Sequence, residues 1–321
     1  MSSGSTQLLH GLRLCGDVAI PGAAGVADGS VDFEVHLDAP SRPAQSAPAG
    51  ELVAALDEPG ARYAAALRDE ALTVRFFATG EFEVDLERGA IVARPAPGRG
   101  EAMVPVLLAG NLLAIVLGLR GAAVLHASAV ELDGAAIAFP GPTGAGKSTV
   151  AALLCAAGGA IVGDDAARVE QREGALLVHH GPHELRLRPQ AATIADHVGG
   201  GAGRTADGRV AVEARPATGA ATPLGAIAFP SWPRGAREPA VTRLTPRRAL
   251  DSLLRCPRVT GWRAPGPVRA HFVACAAIAQ AVPAFRAELP QGRLQDPGLP
   301  EVLHDALAGA GALGPRGDQP R

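Results

Sequence analysis

The chain has 321 residues, enough for one large domain or two modest ones with a sizeable core. Hydrophobic residues make up 47% and charged residues 19%, so a folded globular protein is expected, and the scarcity of aromatics (3%) leaves Ala, Val and Leu to build its core. The net charge of −2 gives no general reason to expect nucleic acid or an anionic membrane as a partner.

The cysteines and the first residues indicate a cellular compartment. The four cysteines form no Cys-x-x-Cys pair, which argues against a zinc ribbon or a disulfide scaffold and fits a reducing cytosol. They are Cys15, Cys155, Cys256 and Cys275. The chain opens on polar residues without the basic segment of a signal peptide. We therefore expect a cytoplasmic protein.

Residues 1–100 are predicted to form an N-terminal β-rich lobe. Short strands are expected at 31–37, 72–77, 82–86 and 90–94, with turns between the last three and a loop at 39–50. Phe82 and Val84 alternate with Glu81 and Glu83, which is typical of a strand with one buried face and one wet face.

An uncharged apolar run at 103–119 follows this lobe and is nearly long enough to span a bilayer. It contains Pro105, Gly110, Asn111 and Gly118, and Arg120 closes it. We interpret it as a buried helix that leads into a second domain at 101–309, and we predict no membrane span.

The second domain opens with a β-hairpin, since apolar stretches at 123–132 and 135–139 flank Asp133-Gly134, a strong two-residue turn signal. A helix is then predicted over 147–157 and a short buried strand over 160–163. Strand, glycine-rich loop, helix and strand together predict a compact βαβ unit.

The glycine-rich loop matches the phosphate-binding pattern G-x-x-x-x-G-K-[ST] in full. The residues predicted to bind the nucleotide are Gly141, Pro142, Thr143, Gly144, Ala145, Gly146, Lys147, Ser148 and Thr149. In this pattern glycines let successive N–H groups turn toward a phosphate, the lysine reaches the β- and γ-phosphates, and the serine hydroxyl binds Mg²⁺. Lys147 is also the only lysine in an arginine-rich chain, at a position where a guanidinium is a poor replacement. The motif therefore predicts a site for ATP or a close relative.

Asp164 and Asp165 end the strand after the loop helix, and His126 lies on the first strand of the hairpin. Adjacent carboxylates on an extended chain point to opposite sides, so one can serve a metal while the other faces a substrate hydroxyl. An Asp pair can also simply form a turn, and a histidine in a strand is often a core residue. By alternation His126 should lie on the same side as Ser128.

The rest of the chain is predicted to contain strands at 176–180, 185–187 and 226–229, a helix starting at Thr245-Pro246 and an apolar helix near 268–282. Residues 310–321 read as a disordered tail. The segment 234–269 carries nine arginines, which suits either a cradle for an acidic peptide or a solvated surface. No zinc site is predicted at the clustered His179, His180 and His183, because no cysteine accompanies them.

The stretch from Leu125-His126-Ala127 through the glycine-rich loop to Ile161-Val162-Gly163-Asp164-Asp165 resembles the catalytic core of HPr kinase/phosphorylase. The resemblance implies a fold related to phosphoenolpyruvate carboxykinase and a bacterial serine kinase that moves the γ-phosphoryl group of ATP to a hydroxyl of a peptide or small protein.

The resemblance also implies roles for individual residues. Asp164 would be the base that orients the attacking serine, Lys147 would stabilise the developing charge, and His126 would assist near the transferred group. Mg²⁺ would be held by Ser148 and Asp165. Glu184, in the Glu-x-Arg sequence Glu184-Leu185-Arg186, would match the family's metal-linked glutamate.

The chain departs from the family after Arg186, where Leu187-Arg188-Pro189 replaces the Gly-x-Gly of the family's pattern. The layout is more similar to HPr-kinase-related proteins of peptide natural-product clusters, some of which phosphorylate a serine of a lasso precursor peptide. The alternatives are a nucleotide-responsive binding protein without transferase activity and a kinase for a small molecule such as free serine. The acceptor and the oligomeric state stay open.

Overall fold

A computed structural model of the chain describes residues 5–27, 29–58, 61–98, 100–198 and 202–313. It is a mixed α/β protein, as expected, and the chain divides into two compact units. Unit 1 comprises Met1–Gly121 and Val259–Ala270, and unit 2 comprises Ala122–Arg258 and His271–Arg321. The predicted domains, 1–100 and 101–309, differ from this division in two places, the apolar helix and the segment Val259–Ala270.

Unit 1 is built on one large sheet, to which nine strands belong within the described residues. Its strands are β1 Gln7–Leu9, β2 Leu12–Gly16, β3 Ala24–Gly25, β4 Phe33–Leu37, β5 Glu51–Glu58, β6 Ala61–Arg68, β7 Ala71–Phe76, β8 Gly80–Asp85 and β9 Ala90–Pro95. The spatial order is β3-β1-β2-β4-β9-β8-β7-β6-β5, so β5 to β9 form an antiparallel meander.

The predicted alternation in β8 is confirmed, because Phe82 and Val84 are buried while Glu83 is exposed. Strands β5 and β6 are not predicted by the sequence. Their centres are rich in alanine, which is depleted in strands, and Ala64, Ala65 and Ala66 are nevertheless almost fully buried. Packing of the sheet therefore overrides local preference here.

The apolar run forms one helical stretch, Gly100–Leu119. It consists of α1 Gly100–Leu107, a π-helical turn Leu108–Leu112 and α2 Leu113–Leu119. Pro105 lacks an N–H and its ring crowds the preceding turn, which disturbs the regular hydrogen bonds just before the π turn. The stretch is long and apolar enough to cross a membrane, but 61% of its most apolar window is buried, as in the core helix that we expect.

Residues Val259–Ala270 form a strap that belongs to unit 1 although it lies far along the chain. Specific contacts join it to the sheet. Ala55 donates a backbone hydrogen bond to Gly261 (2.9 Å), Arg263 donates one to Val53 (2.8 Å), and the Tyr63 hydroxyl donates to the Thr260 carbonyl. This strap is distant in sequence from the sheet it joins, and sequence patterns do not predict it.

Unit 2 contains the phosphate loop and the elements that surround it. Its strands are β10 Ala123–Leu125, β11 Ala127–Leu132, β12 Ala135–Pro140, β13 Ala160–Gly163, β14 Ala167–Arg172, β15 Ala175–His179, β16 Glu184–Leu187, β17 Ala202–Arg204, β18 Val210–Glu213, β19 Ala221–Ser231, β20 Ala240–Arg243 and β21 Ala284–Glu288. The remaining helices are α3 Lys147–Ala156, α4 Ala195–Val198, α5 Pro246–Leu253, α6 Pro265–Ala281 and α7 Leu299–Gly309, with 3₁₀ turns at Pro189–Ile194 and Gln291–Arg293. The first residues of α6, up to Ala270, belong to unit 1.

The main sheet of unit 2 has the order β10-β14-β15-β19-β12-β11-β13, and β21 and β20 extend it from β19. Its two faces are covered differently. Ile137 and Phe139 of β12 pack in the core with α3 and α7, whereas Ala136 and Ala138 face the core that includes Leu253 of α5. Alternation along β12 therefore places a central strand between two helical layers. Strands β16, β18 and β17 form a small separate sheet.

The βαβ unit needs one correction. The hairpin of β11 and β12 is confirmed, with Asp133 and Gly134 both at positive φ as a type I′ turn requires. However, β13 pairs with β11 rather than with β12. Since β11 is antiparallel to both, β12 and β13 run parallel with β11 inserted between them.

The predicted helix start at Thr245-Pro246 is confirmed, because the Thr245 side chain accepts a hydrogen bond from the Arg248 N–H at the start of α5. Of the predicted disordered tail, Ala310–Leu313 is described and Ala312 is buried in the core beside α7, whereas residues 314–321 lie outside the described part of the chain.

Candidate functional site

The phosphate loop connects β12 to α3, and its conformation explains its glycines. Gly144 and Gly146 have φ values of +90° and +88°, in the left-handed region that side chains rarely adopt. The Gly141 N–H donates to the carbonyl of His126 (3.1 Å), which fixes the start of the loop against β11. The loop therefore leads directly into α3, whose N-terminus is a favourable position for an anion.

Lys147 is held close to the loop and is nearly buried, with 6% of its surface exposed. Its Nζ donates to the carbonyl of Pro142 (3.2 Å). Burial lowers the pKa of Lys147 to about 8, against the opposing influence of Asp165 and Asp164. Burial deprives the Lys147 ammonium of stabilising water, and a bound phosphate would stabilise the charged form instead.

Trp232, at the end of β19, covers the loop and is not predicted by the sequence. Its indole Nε1 donates to the carbonyl of Ala145 (2.8 Å). A β-carbon on Gly146 would lie 2.5 Å from that same nitrogen, so the indole occupies the place of a side chain there. Glycine is therefore required at position 146 for two reasons: its φ is positive, and the indole of Trp232 lies where a side chain would be.

Asp164 ends β13 and its carboxylate is almost fully buried, at 5% exposure. Oδ1 accepts hydrogen bonds from the hydroxyls of Ser128 (2.5 Å) and Ser148 (2.8 Å), and Oδ2 accepts one from the Arg186 N–H (3.0 Å). The Ser148 hydroxyl is the group that the loop motif assigns to Mg²⁺. Asp164 is therefore hydrogen-bonded to the loop residue that is expected to bind the metal.

Asp165 turns away from its neighbour because its φ is +71°, a left-handed value that Asp tolerates better than most residues. Its Oδ1 lies 3.1 Å from Nε2 of His126, and its Oδ2 accepts from Nη2 of both Arg186 (2.8 Å) and Arg258 (2.8 Å). Burial opposes ionisation, but Arg258, the His126 hydrogen bond and Arg186 together hold the pKa of Asp165 well below its usual range. The carboxylate therefore stays ionised.

His126 lies at the bend between β10 and β11, and its N–H donates to the carbonyl of Cys256 (2.8 Å). Burial lowers the pKa of His126, and nearby Lys147 lowers it further against the influence of Asp165. The ring is thus neutral at pH 7, and since an ionised carboxylate only accepts, Nε2 of His126 carries the hydrogen and donates to Asp165.

The two arginines that hold Asp165 come from distant segments. Arg186 lies on β16, in the predicted Glu-x-Arg sequence, and it also contacts Asp207 (3.7 Å). Arg258 lies directly before the strap and belongs to the arginine-rich segment 234–269. This segment is therefore not one surface, because Arg258 is largely buried in the network while Arg243 and Arg248 are exposed.

Several of these groups line one cleft of about 790 Å³, counting its open mouth. The predicted residues on its walls are His126, Thr143, Gly144, Gly146, Lys147, Ser148, Thr149 and Asp165. Walls that the sequence does not assign to the site are formed by Arg186, Arg188, Gln190, Ala191, Arg209, Trp232, Gln291 and Leu294. Asp165 is the single carboxylate among these lining residues, so the cleft suits a strongly anionic ligand.

The predicted metal ligands are only partly brought together. Ser148 and Asp165 line the cleft, whereas Glu184 does not. Burial raises the pKa of Glu184, and the Asp164 carboxylate contributes in the same direction against Arg186. Glu184 therefore lies on β16 but is not part of the cleft wall.

The oxygens of Asp164 and Ser148 fit a bound Mg²⁺. They are the hard ligands that this ion prefers, and they lie beside the loop that would hold the phosphates. Within the described ranges no group of three His, Cys, Asp or Glu residues could hold a metal by itself. His179 and His180 instead pair with Glu170 and Thr222.

No protein-family model matches the chain, and no curated protein matches it. Among solved structures, the chain is similar to the Hpr(Ser) kinase/phosphatase from Coxiella burnetii, with 12% sequence identity and a TM-score of 0.34. The similarity covers 59% of this chain and 90% of that chain. At this identity and TM-score the likeness is a distant one.

Proposed function

We propose that the chain is an ATP- and Mg²⁺-dependent kinase that transfers the γ-phosphoryl group to a hydroxyl of an acceptor. The observation that carries the proposal is the separation of the two carboxylates. Asp164 binds the Ser148 hydroxyl of the phosphate loop, and Asp165 lines the cleft beside Lys147 and His126. A protein that only binds a nucleotide has no need of a second, ionised carboxylate in the lining of the cleft.

Asp164 and Ser148 would hold the metal ion. When bound, Mg²⁺ supplies charge neutralisation at the β- and γ-phosphate oxygens. Asp164 keeps its orientation through Ser128 and the Arg186 N–H, so its carboxylate is positioned before the ligand arrives. These contacts favour the opposite assignment to the one implied by the family resemblance, which gives Asp164 the role of base and Asp165 that of metal ligand.

Asp165 would orient the acceptor hydroxyl. In the transfer step the acceptor oxygen bonds to the γ-phosphorus, and the bond from that phosphorus to the β–γ bridging oxygen breaks. The bridging oxygen leaves with ADP, and the acceptor proton passes to Asp165. A carboxylate of low pKa suits a loose transition state, in which the hydroxyl loses its proton late and positioning matters most.

His126, Arg186 and Arg258 act on Asp165 rather than on the phosphates in this scheme. They donate to both of its oxygens and keep it ionised and fixed in direction. Lys147 would stabilise the charge on the transferring group, since it lines the same cleft and its low exposure strengthens its interaction with an anion.

We propose a serine of a peptide or small protein as the acceptor. This finer assignment rests on the resemblance of residues 125–165 to the HPr kinase/phosphorylase core, and a precursor peptide of a natural-product pathway is the acceptor that the layout of the chain favours. Free serine and other small hydroxyl compounds are the competing acceptors.

The test is incubation of the protein with γ-labelled ATP, Mg²⁺ and serine-containing peptides, with free serine in parallel. We expect label on a peptide serine, and none when Lys147→Ala replaces the wild-type chain. Label on free serine alone would assign a small-molecule kinase. Tight ATP binding without any labelled acceptor would favour a nucleotide-responsive binding protein.

A further inference from the structure

Arg188 stands apart from the other cations of the cleft. Arg186 is paired with Asp165 (2.8 Å) and Arg209 with Asp207 (3.2 Å), so their charges are already compensated. Within the residues that the structure describes, the guanidinium of Arg188 makes no hydrogen bond or ion pair, although the side chain lines the cleft and is exposed. It is therefore a guanidinium available to an incoming anion.

The position of Arg188 relative to the phosphate loop is specific. The place of a β-carbon on Gly144 is 3.6 Å from Nη2, 3.7 Å from Cζ and 3.8 Å from Nη1 of Arg188. The guanidinium thus lies against the apex of the loop, at Thr143 and Gly144, which both line the cleft. A ligand cradled by the loop amides would meet Arg188 at this apex.

The backbone around Arg188 is fixed, so the side chain starts from a defined point. Leu187 before it is the buried last residue of β16, at 1% exposure. Pro189 after it begins a 3₁₀ turn, and the Arg188 carbonyl accepts a hydrogen bond from the Ala191 N–H (2.8 Å). An arginine on a rigid backbone loses less freedom when its fork closes on a phosphate.

We propose that Arg188 is an arginine in cis that contacts the terminal phosphoryl group of the bound nucleotide and stabilises the charge that develops there during transfer. This inference rests on the proposed function and deepens it. Lys147 and Arg188 would then act as two cations on one phosphate group, the first as a buried ammonium and the second as an exposed guanidinium fork. The assignment gives the protein a means to distinguish ATP from ADP.

The test compares the affinities for ATP and for ADP, both with Mg²⁺, in the wild type and in Arg188→Ala. We expect ATP to bind about tenfold more weakly in Arg188→Ala while ADP binding changes by less than about twofold. We expect the rate of transfer to fall by about a thousandfold, as for other arginines that act on a transferred phosphoryl group. Arg188→Lys should recover part of the ATP affinity and little of the rate, because an ammonium lacks the fork.

Arg172→Ala is the matched control, since Arg172 is an exposed arginine of unit 2 outside both the cleft and the segment 234–269, and it should change neither affinity nor rate. Equal weakening of ATP and ADP in Arg188→Ala, or no weakening of either, would overturn the assignment. Both affinities can be measured without an acceptor. A wild type that labels neither a peptide nor free serine, with selective loss of ATP affinity in Arg188→Ala, would contradict the kinase proposal and leave the Arg188 contact standing.

Discussion

The two sides of the cleft are built on different principles. The phosphate side is one continuous stretch of backbone, in which glycines at positive φ and the start of α3 supply the binding groups. The acidic side is a network of side chains from separate segments, centred on Asp165 and its three donors. The first side depends on conformation and the second on charge balance, so substitutions should affect them in distinguishable ways.

Gly146→Ala should be the most damaging change on the phosphate side. A side chain at φ +88° is strained by about 1–3 kcal/mol, and its β-carbon would also meet Trp232 at 2.5 Å. Titration calorimetry should show ATP affinity lowered by about 5- to 150-fold. Gly174→Ala is the matched control, since Gly174 has φ +85° and open space around it, and it should cost stability without changing ATP affinity.

Trp232 offers a way to separate the two causes. In the double variant Gly146→Ala with Trp232→Ala, the contact with the indole is removed while the strain from φ stays. Partial recovery of ATP affinity is the expected result. Full recovery would mean that the φ of residue 146 has no effect on ATP affinity. No recovery would mean that the contact with the indole has no effect.

Arg258→Ala tests the acidic side. Asp165 would lose one of its two guanidinium donors, and a hydrogen bond to a charged group contributes about 1.5–3 kcal/mol. Chemical denaturation should show this loss in the free energy of unfolding, together with slower transfer and little change in ATP affinity. Arg255→Ala, an exposed arginine of the same segment, should stay within about 0.5 kcal/mol of the wild type. A larger loss of ATP affinity than of transfer rate would place Arg258 on the phosphates instead.

The contrast between the two sides also explains what sequence alone could predict. The loop is one contiguous stretch, so the glycine-rich motif predicts its residues and the start of α3. The turn signal Asp133-Gly134 predicts the hairpin. Arg258 is one of nine arginines in its segment and nothing in the sequence distinguishes it. Trp232 and Ser128 reach the site only because β19 and β11 flank β12 in the sheet.

The pairing of β13 with β11 shows the same limit. Local patterns predict the hairpin and the strand after the loop helix, but the choice of neighbour for that strand depends on the whole sheet. Ser128 had one usable signal, its predicted place on the same side as His126, and both side chains do contact the Asp pair. The left-handed φ of Asp165, which sends the two carboxylates to different partners, has no signal in the sequence.

A smaller effect should appear in the pH dependence of ATP binding. In the free protein burial depresses the pKa of Lys147 to about 8, and bound phosphates should raise it again. Binding therefore takes up a proton above pH 8 and is unaffected below it, so affinity should fall by up to about tenfold per pH unit above 8. Calorimetry at pH 9 in two buffers of different ionisation enthalpy should detect the uptake. If ATP binding takes up no proton at pH 9, Lys147 is already charged in the free protein.

The most direct test of the account is the Mg²⁺ dependence of ATP binding in Asp164→Asn and Asp165→Asn. We predict that Asp164→Asn raises the Mg²⁺ concentration at half-maximal binding by about 10- to 100-fold, as loss of a metal-associated carboxylate does. Asp165→Asn should leave that concentration within about twofold of the wild type and lower only the transfer of phosphoryl groups. A Mg²⁺ dependence shifted in Asp165→Asn and unchanged in Asp164→Asn would contradict the account.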